Sequence, residues 1–424
     1  MKNKKETLLI LTILITICII IFNRDKLYEA KYTEPKDTLL AITINGEIST
    51  TFPTTKYYET SVECTTGTGK VEWNGTKWVL TTNGITKGST KCNATFITKV
   101  PTFAETILAN NKVKAPITTP GATISTASEA LLASTEDDYG TSYYFRGAVT
   151  NNYVEFANKC WRIVRVGGDG SVKLILHNDN PTGAANPCDA ANNSASAAFA
   201  HYNGSTYTSR FNENYDDNAY IGFKYGTPGS SKYETTHANT NKSTILTNLE
   251  TWYTNNLKTY ESVIDDTVWC NDKTNVTDTS YDPWSITPNG LGYAKNVTYY
   301  GATKRLVGTS GSAGGTGPSL KCNGELSKIN SKVGLITADE LAFAGYAYNI
   351  GNTTTYLQEN ATNTYWWSLS PYGFDVGSAG VWGVNGSAGY FDNYNSGVRP
   401  LISLKSTTNV TGEGTSSAPY IISM

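Results

Sequence analysis

The stretch Cys160-Trp-Arg-Ile-Val-Arg-Val166, Gly167-Gly-Asp-Gly170, Ser171-Val-Lys-Leu-Ile-Leu176 carries the clearest structural signal in the chain. Two runs rich in β-branched residues flank a Gly-Asp-Gly turn, the signature of a β-hairpin. Alternation sends Trp161 and Ile163 one way and Val164 and Val166 the other. Working outward, residues 143–149 and 153–156 read as strands. Residues 243–257 place Ile245, Leu246, Leu249, Trp252, Tyr253 and Leu257 at helical spacing. Thr337-Ala-Asp-Glu340 is a capping box announcing a second helix that stops at Gly345. Strands return over 364–369, 380–384, 388–392 and 398–404. Strands, two helices and strands again predict an α+β domain whose first and last strands can pair.

Upstream, Val71-Glu-Trp73, Asn74-Gly75 and residues 76–80 form a second hairpin pattern, with Asn-Gly suited to a two-residue turn. It predicts a small β-sandwich over 38–101, with 102–137 as a linker holding a short helix and 138–424 as the larger domain. At the amino end, Lys2, Lys4 and Lys5 precede an uncharged apolar run over 7–22. At ~1.5 Å per residue the run spans roughly 24 Å as a helix, short for a ~30 Å hydrocarbon core but workable with local thinning. Residues 1–26 are therefore expected to be a signal anchor with a cytoplasmic amino terminus and the bulk of the chain extracellular. No small-residue cleavage site follows the run.

Of seven cysteines, Cys18 lies in the apolar run, which leaves an even six outside. An even number in an exported chain reads as disulfides, and pairing by sequence neighbours gives Cys64–Cys92, Cys160–Cys188 and Cys270–Cys322. Other connectivities remain open at this stage. Lys plus Arg number 34 and Asp plus Glu 36, a net charge of −2, so nucleic acid is excluded as a partner. Charged residues are 17% against the ~25% of typical chains, and 28 Tyr, 12 Phe and 9 Trp stand beside abundant Thr, Asn, Ser and Gly. His177, His201 and His237 lack metal-ligand spacing and read as ordinary surface or turn histidines. The pairs Asp137-Asp138, Asp216-Asp217 and Asp265-Asp266 read as turn residues. The Gly-rich run 308–318 lacks the Gly-Lys-Ser/Thr of a phosphate loop. No metal site is expected.

Three segments carry a resemblance: Tyr139-Gly-Thr-Ser-Tyr-Tyr-Phe-Arg-Gly147 with the opening hairpin, Gly334-Leu-Ile-Thr-Ala-Asp-Glu-Leu-Ala-Phe-Ala-Gly345, and Tyr365-Trp-Trp-Ser-Leu-Ser-Pro371 running to Gly397-Val-Arg-Pro-Leu-Ile-Ser-Leu404. They resemble an uncharacterised surface-protein family of gut Firmicutes and their phages. The carboxyl-terminal domain of that family is related to the formylglycine-generating-enzyme branch of the C-type lectin fold. The resemblance implies an α+β, C-type-lectin-like domain akin to variable binding proteins diversified by retroelements. The chain departs from the catalytic and sugar-binding members. Glu-Pro-Asn and Gln-Pro-Asp are absent, Cys270 interrupts a Trp-Asn-Asp calcium motif, and Cys322 is the last cysteine, which leaves no late pair for copper. No cofactor is therefore expected. Calcium is compatible with the loop carboxylates but has no supporting motif.

The expected function is cell-surface ligand binding, not catalysis, with an extracellular protein or glycan as partner. The candidate surface is residues 372–395, whose Tyr, Asn, Gly and Ser content matches antibody-type binding surfaces. Its ligand-facing candidates are Tyr372, Phe374, Asp375, Trp382, Asn385, Tyr390, Asp392, Asn393, Tyr394 and Asn395. Trp161, Trp366, Trp367 and Arg399 are assigned to the scaffold, Arg399 held by buried acceptors. The alternatives are a cell-wall or glycan-acting enzyme and a structural surface-layer component.

Overall fold

A computed structural model describes residues 39–391 and 394–424. The chain divides into two compact units, Met1–Val100 and Pro101–Met424. The expected anchor at 1–26 lies outside the described residues.

The first unit is built from β1 (Leu39–Ile44), β2 (Glu47–Ser49), β3 (Tyr58–Cys64), β4 (Thr68–Trp73), β5 (Trp78–Asn83) and β6 (Lys91–Thr98). Four of them form a sheet in the order β2-β1-β6-β3, in which β1 and β6 run parallel. The β4–β5 hairpin closes over it, because Val71 and Trp78 share one core with Ile42, Ala94 and Phe96. Trp73 faces Trp78 across the ladder with ring centroids 5.6 Å apart. The turn between them spans four residues instead of the expected Asn-Gly pair, since Asn74 Oδ1 accepts from the Thr76 and Lys77 amides at 3.1 and 3.0 Å. Cys64 and Cys92 oppose each other in the β3–β6 register and are disulfide-bonded. A core of five buried apolar side chains is small, so this cross-link carries much of the unit's stability.

In the second unit, α1 (Phe103–Asn110) opens with a complete capping box, Thr102 and Glu105 each bonding the other's amide. The strands β7 (Ala130–Asp137), β8 (Gly140–Gly147), β9 (Tyr153–Phe156), β10 (Lys159–Val166) and β11 (Val172–Asn178) follow. Residues 102–137 are thus folded into this unit as a helix and an edge strand, and they do not form a linker. The remaining labelled elements are α2 (Thr244–Asn256), α3 (Ala338–Ala344), β12 (Trp366–Asp375), β13 (Ser378–Val384), β14 (Ala388–Phe391), β15 (Ser396–Gly397), β16 (Leu401–Leu404) and β17 (Tyr420–Ile422). One sheet runs β16-β11-β10-β9-β17, with β8 and β7 continuing beside β10. The second places β15, β12, β13 and β14 side by side. One apolar core, from Phe103 to Ile422, joins both sheets and α2. The disulfides Cys160–Cys188 and Cys270–Cys322 are formed here, as sequence neighbours.

The α+β, C-type-lectin-like expectation is overturned. Strand accounts for 35% of the residues and helix for 13%, so the chain is predominantly β. The capping box and the helical stripe both form helices, but α2 spans 13 residues and α3 only 7. These two helices leave strand as the dominant element of the unit. Among the described residues no helix is long and apolar enough to cross a membrane.

The interior of the second unit holds several charged side chains. Glu340, at the third position of α3, closes that helix's capping box and also accepts from Lys173 Nζ at 2.6 Å and Arg165 Nε at 3.0 Å. Arg165 reaches Asp137 at 2.9 Å, and Arg146 pairs with Glu129 with both side chains fully buried. Burial alone would raise the Glu340 carboxyl, but Lys173 and Arg165 outweigh it and hold it at about 2 against an ordinary 4.5. A depressed carboxyl contributes stability that is present above the unfolded value and lost as pH falls through the folded one. The expected outcome is a loss of about 3 kcal/mol from this group between pH 4.5 and 2. Glu340→Gln should flatten that acid limb in urea titrations across pH and lower stability at neutral pH, because two buried cations lose their partner. An unchanged acid limb would refute the assignment.

Candidate functional site

Most of the described residues of the expected binding segment lie on β12, β13 and β14, and burial sorts them. Trp366 to Phe374 in β12 are buried without alternation, because this central strand is covered on both faces. Tyr372, Phe374 and Trp382 are therefore interior, at 4%, 1% and 0% exposure, and are withdrawn as surface residues. Tyr372 OH donates to Tyr348 OH at 3.0 Å and Trp382 Nε1 to Thr303 Oγ1 at 3.2 Å. The Trp284 ring lies 5.5 Å from Tyr372 and 5.2 Å from Tyr299, which completes an aromatic nest. Asp375 is half-buried at the end of β12. Asn385 is exposed in the β13–β14 turn, where its Oδ1 accepts from Ser387 Oγ at 3.0 Å. Tyr390 lies on β14 in register with Trp382. Asp392 and Asn393 lie outside the described residues. Tyr394 and Asn395 are exposed, Tyr394 by 60%. Trp161, Trp366, Trp367 and Arg399 are all in the interior.

Two of the exposed members, Tyr394 and Asn395, lead directly into β15. This two-residue strand pairs parallel with β12 through Gly397 and Trp366, and antiparallel with residues 208–209. The Gly397 amide donates to Tyr365 O at 2.5 Å. Tyr365 leads into β12 and Tyr394-Asn395 into β15, so the two tyrosines enter neighbouring strands; Tyr365 is 47% exposed. Gly397 is required here, because a Cβ would stand 2.5 Å from the Phe199 ring beneath it. The Phe199 ring stacks on Tyr207 at 5.5 Å, and Tyr207 OH accepts from Asn363 Nδ2 at 2.5 Å. Trp367 Nε1 donates to Ser209 O at 2.7 Å and fixes the flanking segment. The outcome is an exposed Tyr/Asn surface at the start of two hydrogen-bonded strands. Beside it, Asp179 holds His201 Nδ1 at 3.0 Å and Lys159 Nζ at 2.9 Å; burial would raise this carboxyl, but the bond to His201 and the Lys159 charge lower it.

A concavity lies within the unit's ion network. A cavity of about 60 Å³ among Asp137, Arg165, Asp272, Arg305, Asp339 and Glu340 adjoins an open groove of about 590 Å³ lined by Thr274, Asn275, Asp278, Lys304, Thr316 and Asn323. Arg305 forms their shared wall, bidentate to Asp339 at 2.7 Å and bonded to Asp272 at 2.6 Å. Burial would lower this guanidinium, but the two carboxylates drive it above its ordinary value. The sequence singled out Asp137 as a turn residue and Glu340 as a helix cap, but nothing in it brought them together with Arg165, Asp272 and Arg305, since the cavity draws on five separated segments. Among the described residues no group of three or more His, Cys, Asp or Glu side chains is placed to hold a metal ion. Two histidines differ from expectation. His177 and His237 are fully buried, and burial pushes both imidazoles down, His237 to about 3.

No family model, curated protein or solved structure matches this chain.

The partition between nest and surface is checked by truncation. Trp382→Ala should cost about 3–5 kcal/mol in denaturant unfolding, whereas Asn385→Ala should stay within about 0.5 kcal/mol. Equal losses for the two would contradict the burial assignment.

Proposed function

We propose that this chain is an exported recognition protein that binds an extracellular macromolecule through the tyrosine surface around β15. The observation carrying this reading is the pair Tyr365 and Tyr394, exposed by 47% and 60%, with the Tyr365 carbonyl tied to the Gly397 amide where β15 meets β12. Tyrosine on rigid backbone offers large amphipathic area at little entropic cost, which is the property hot-spot residues share. Asn363, Asn395 and Tyr207 supply hydrogen-bonding groups at its margin. Three disulfides support residence in an oxidising compartment. Recognition on this account transfers no proton or group, and specificity comes from shape and hydrogen bonding.

The experiment immobilises the full chain and probes it with purified mucin and with a panel of whole bacterial cells. Tyr365→Ala combined with Tyr394→Ala should weaken capture by about a hundredfold while thermal stability changes by less than about 1 kcal/mol. Undiminished capture by the double variant would refute the surface. Turnover of a peptidoglycan or glycan panel by the wild-type chain would instead favour an enzyme working in the Arg305 groove.

A further inference from the structure

Lys273 is fully buried, and among the described residues no carboxylate lies within ion-pair distance of it. Its Nζ is held by Lys224 O at 3.2 Å, His237 O at 2.9 Å and the side-chain Oδ1 of Asn239. The Asn239 carboxamide is fixed from its other end, because Nδ2 donates to Leu326 O at 3.0 Å. The same turn supplies His237. Its Nε2 lies 2.8 Å from Gly292 O, a group that only accepts, so Nε2 carries the proton. That leaves Nδ1 as a bare lone pair, and Nδ1 is buried without a hydrogen-bond partner. A buried amine thus touches a partly buried carboxamide directly, and an unused buried base lies on the same 237–239 turn.

We propose that Lys273 and Asn239 close an intramolecular isopeptide bond, with His237 as the base. The Lys273 nitrogen adds to Asn239 Cγ, and the Nζ–Cγ bond forms as the Cγ–Nδ2 bond breaks. One Nζ proton passes by way of His237 Nδ1 to the departing nitrogen, which leaves as ammonia. The product amide keeps one hydrogen on Nζ, and no oxidant or cofactor takes part. The reaction needs the free amine. Burial pushes the Lys273 ammonium down to about 7, so much of it is already deprotonated near neutral pH. It also needs an imidazole that stays neutral; burial, and next the Lys273 charge, hold His237 at about 3. The carboxylate that follows Asn271, Asp272, is bonded to Arg305 and is not available to pair with Lys273. The cross-link would close residues 239–273 into a covalent loop independent of the three disulfides and of the β15 surface.

The test is a peptide map by tandem mass spectrometry of the full chain after thiol reduction. The expected result is a single branched species joining the Asn239 peptide to the Lys273 peptide, lighter than their sum by one ammonia. Lys273→Met and Asn239→Ala should each release the separate peptides. Two unlinked peptides from the wild-type chain would overturn the proposal, and so would ammonia loss confined to the Asn239 peptide, which is succinimide formation alone. His237→Phe leaves both reacting groups in place and should slow linkage after refolding on the order of a hundredfold. Linkage at the wild-type rate in that variant would remove His237 from the mechanism, and the wild-type map decides the bond itself even if the variant does not fold.

Discussion

Glu340 is the point on which the second unit closes. One of its oxygens caps the α3 backbone at Thr337, and the other takes Lys173 of β11 and Arg165 of β10. Arg165 passes the constraint on to Asp137 at the end of β7, whose second oxygen takes the Tyr139 amide in the turn to β8. Three strands and a helix from separated parts of the chain are therefore registered by one buried carboxylate. A pairing of this kind is costly to desolvate and adds little net stability beyond an apolar replacement. Its effect is on geometry, because any arrangement that separates these elements leaves buried charges without partners.

The low charge of the composition takes on a different meaning in this light. Scarce charges were legible as the mark of a polar, aromatic, exported surface. In the structure many of the strongest pairs are interior: Arg146 with Glu129, Arg305 with Asp272 and Asp339, and Arg165 and Lys173 with Glu340. Composition counts residues and cannot locate them. The opening hairpin shows the same limit at shorter range. Its two strands form and pair, but β11 is buried throughout and β10 nearly so, so alternation does not separate an inner from an outer face. A register shift between Ile163 and Arg165 moves the phase of β10 within the strand, which no period-two reading reveals.

Local chemistry was read more faithfully than assembly. The capping box at Thr337 and the three cysteine pairs depend on residues close in sequence, and they form as the pattern indicates. Fold class depends on how much chain the helices occupy, and the two well-signalled helices cover only 13 and 7 residues of a chain in which strand predominates. The binding segment failed for a related reason. Tyr, Trp and Asn are favoured both in recognition surfaces and in aromatic cores, and what buries Tyr372 and Trp382 is Trp284, Tyr348 and Thr303, all distant in sequence. Tyr394 and Asn395 are exposed in the residues that lead into β15. Tyr365 was read as the start of a strand, and only the parallel bridge to Gly397 shows that it enters the sheet beside them.

Two buried cations without a carboxylate partner show how residue type decides what such a site can do. Arg399 is fully enclosed, donating to Leu176 O at 2.8 Å and Leu357 O at 2.6 Å with its guanidinium over the Trp366 ring at 5.0 Å. Burial lowers it to about 10, so it stays charged and must be solvated by carbonyls and an aromatic face for as long as the protein is folded. It can only be structural. Lys273 has a similar cage of oxygens, but its ammonium loses a proton near neutrality. A caged arginine is a permanent strut, whereas a caged lysine becomes a nucleophile held against whichever acceptor surrounds it. At Lys273 one of those acceptors is a side-chain carboxamide, the only one of the three whose carbonyl carbon can be exchanged without cutting the main chain.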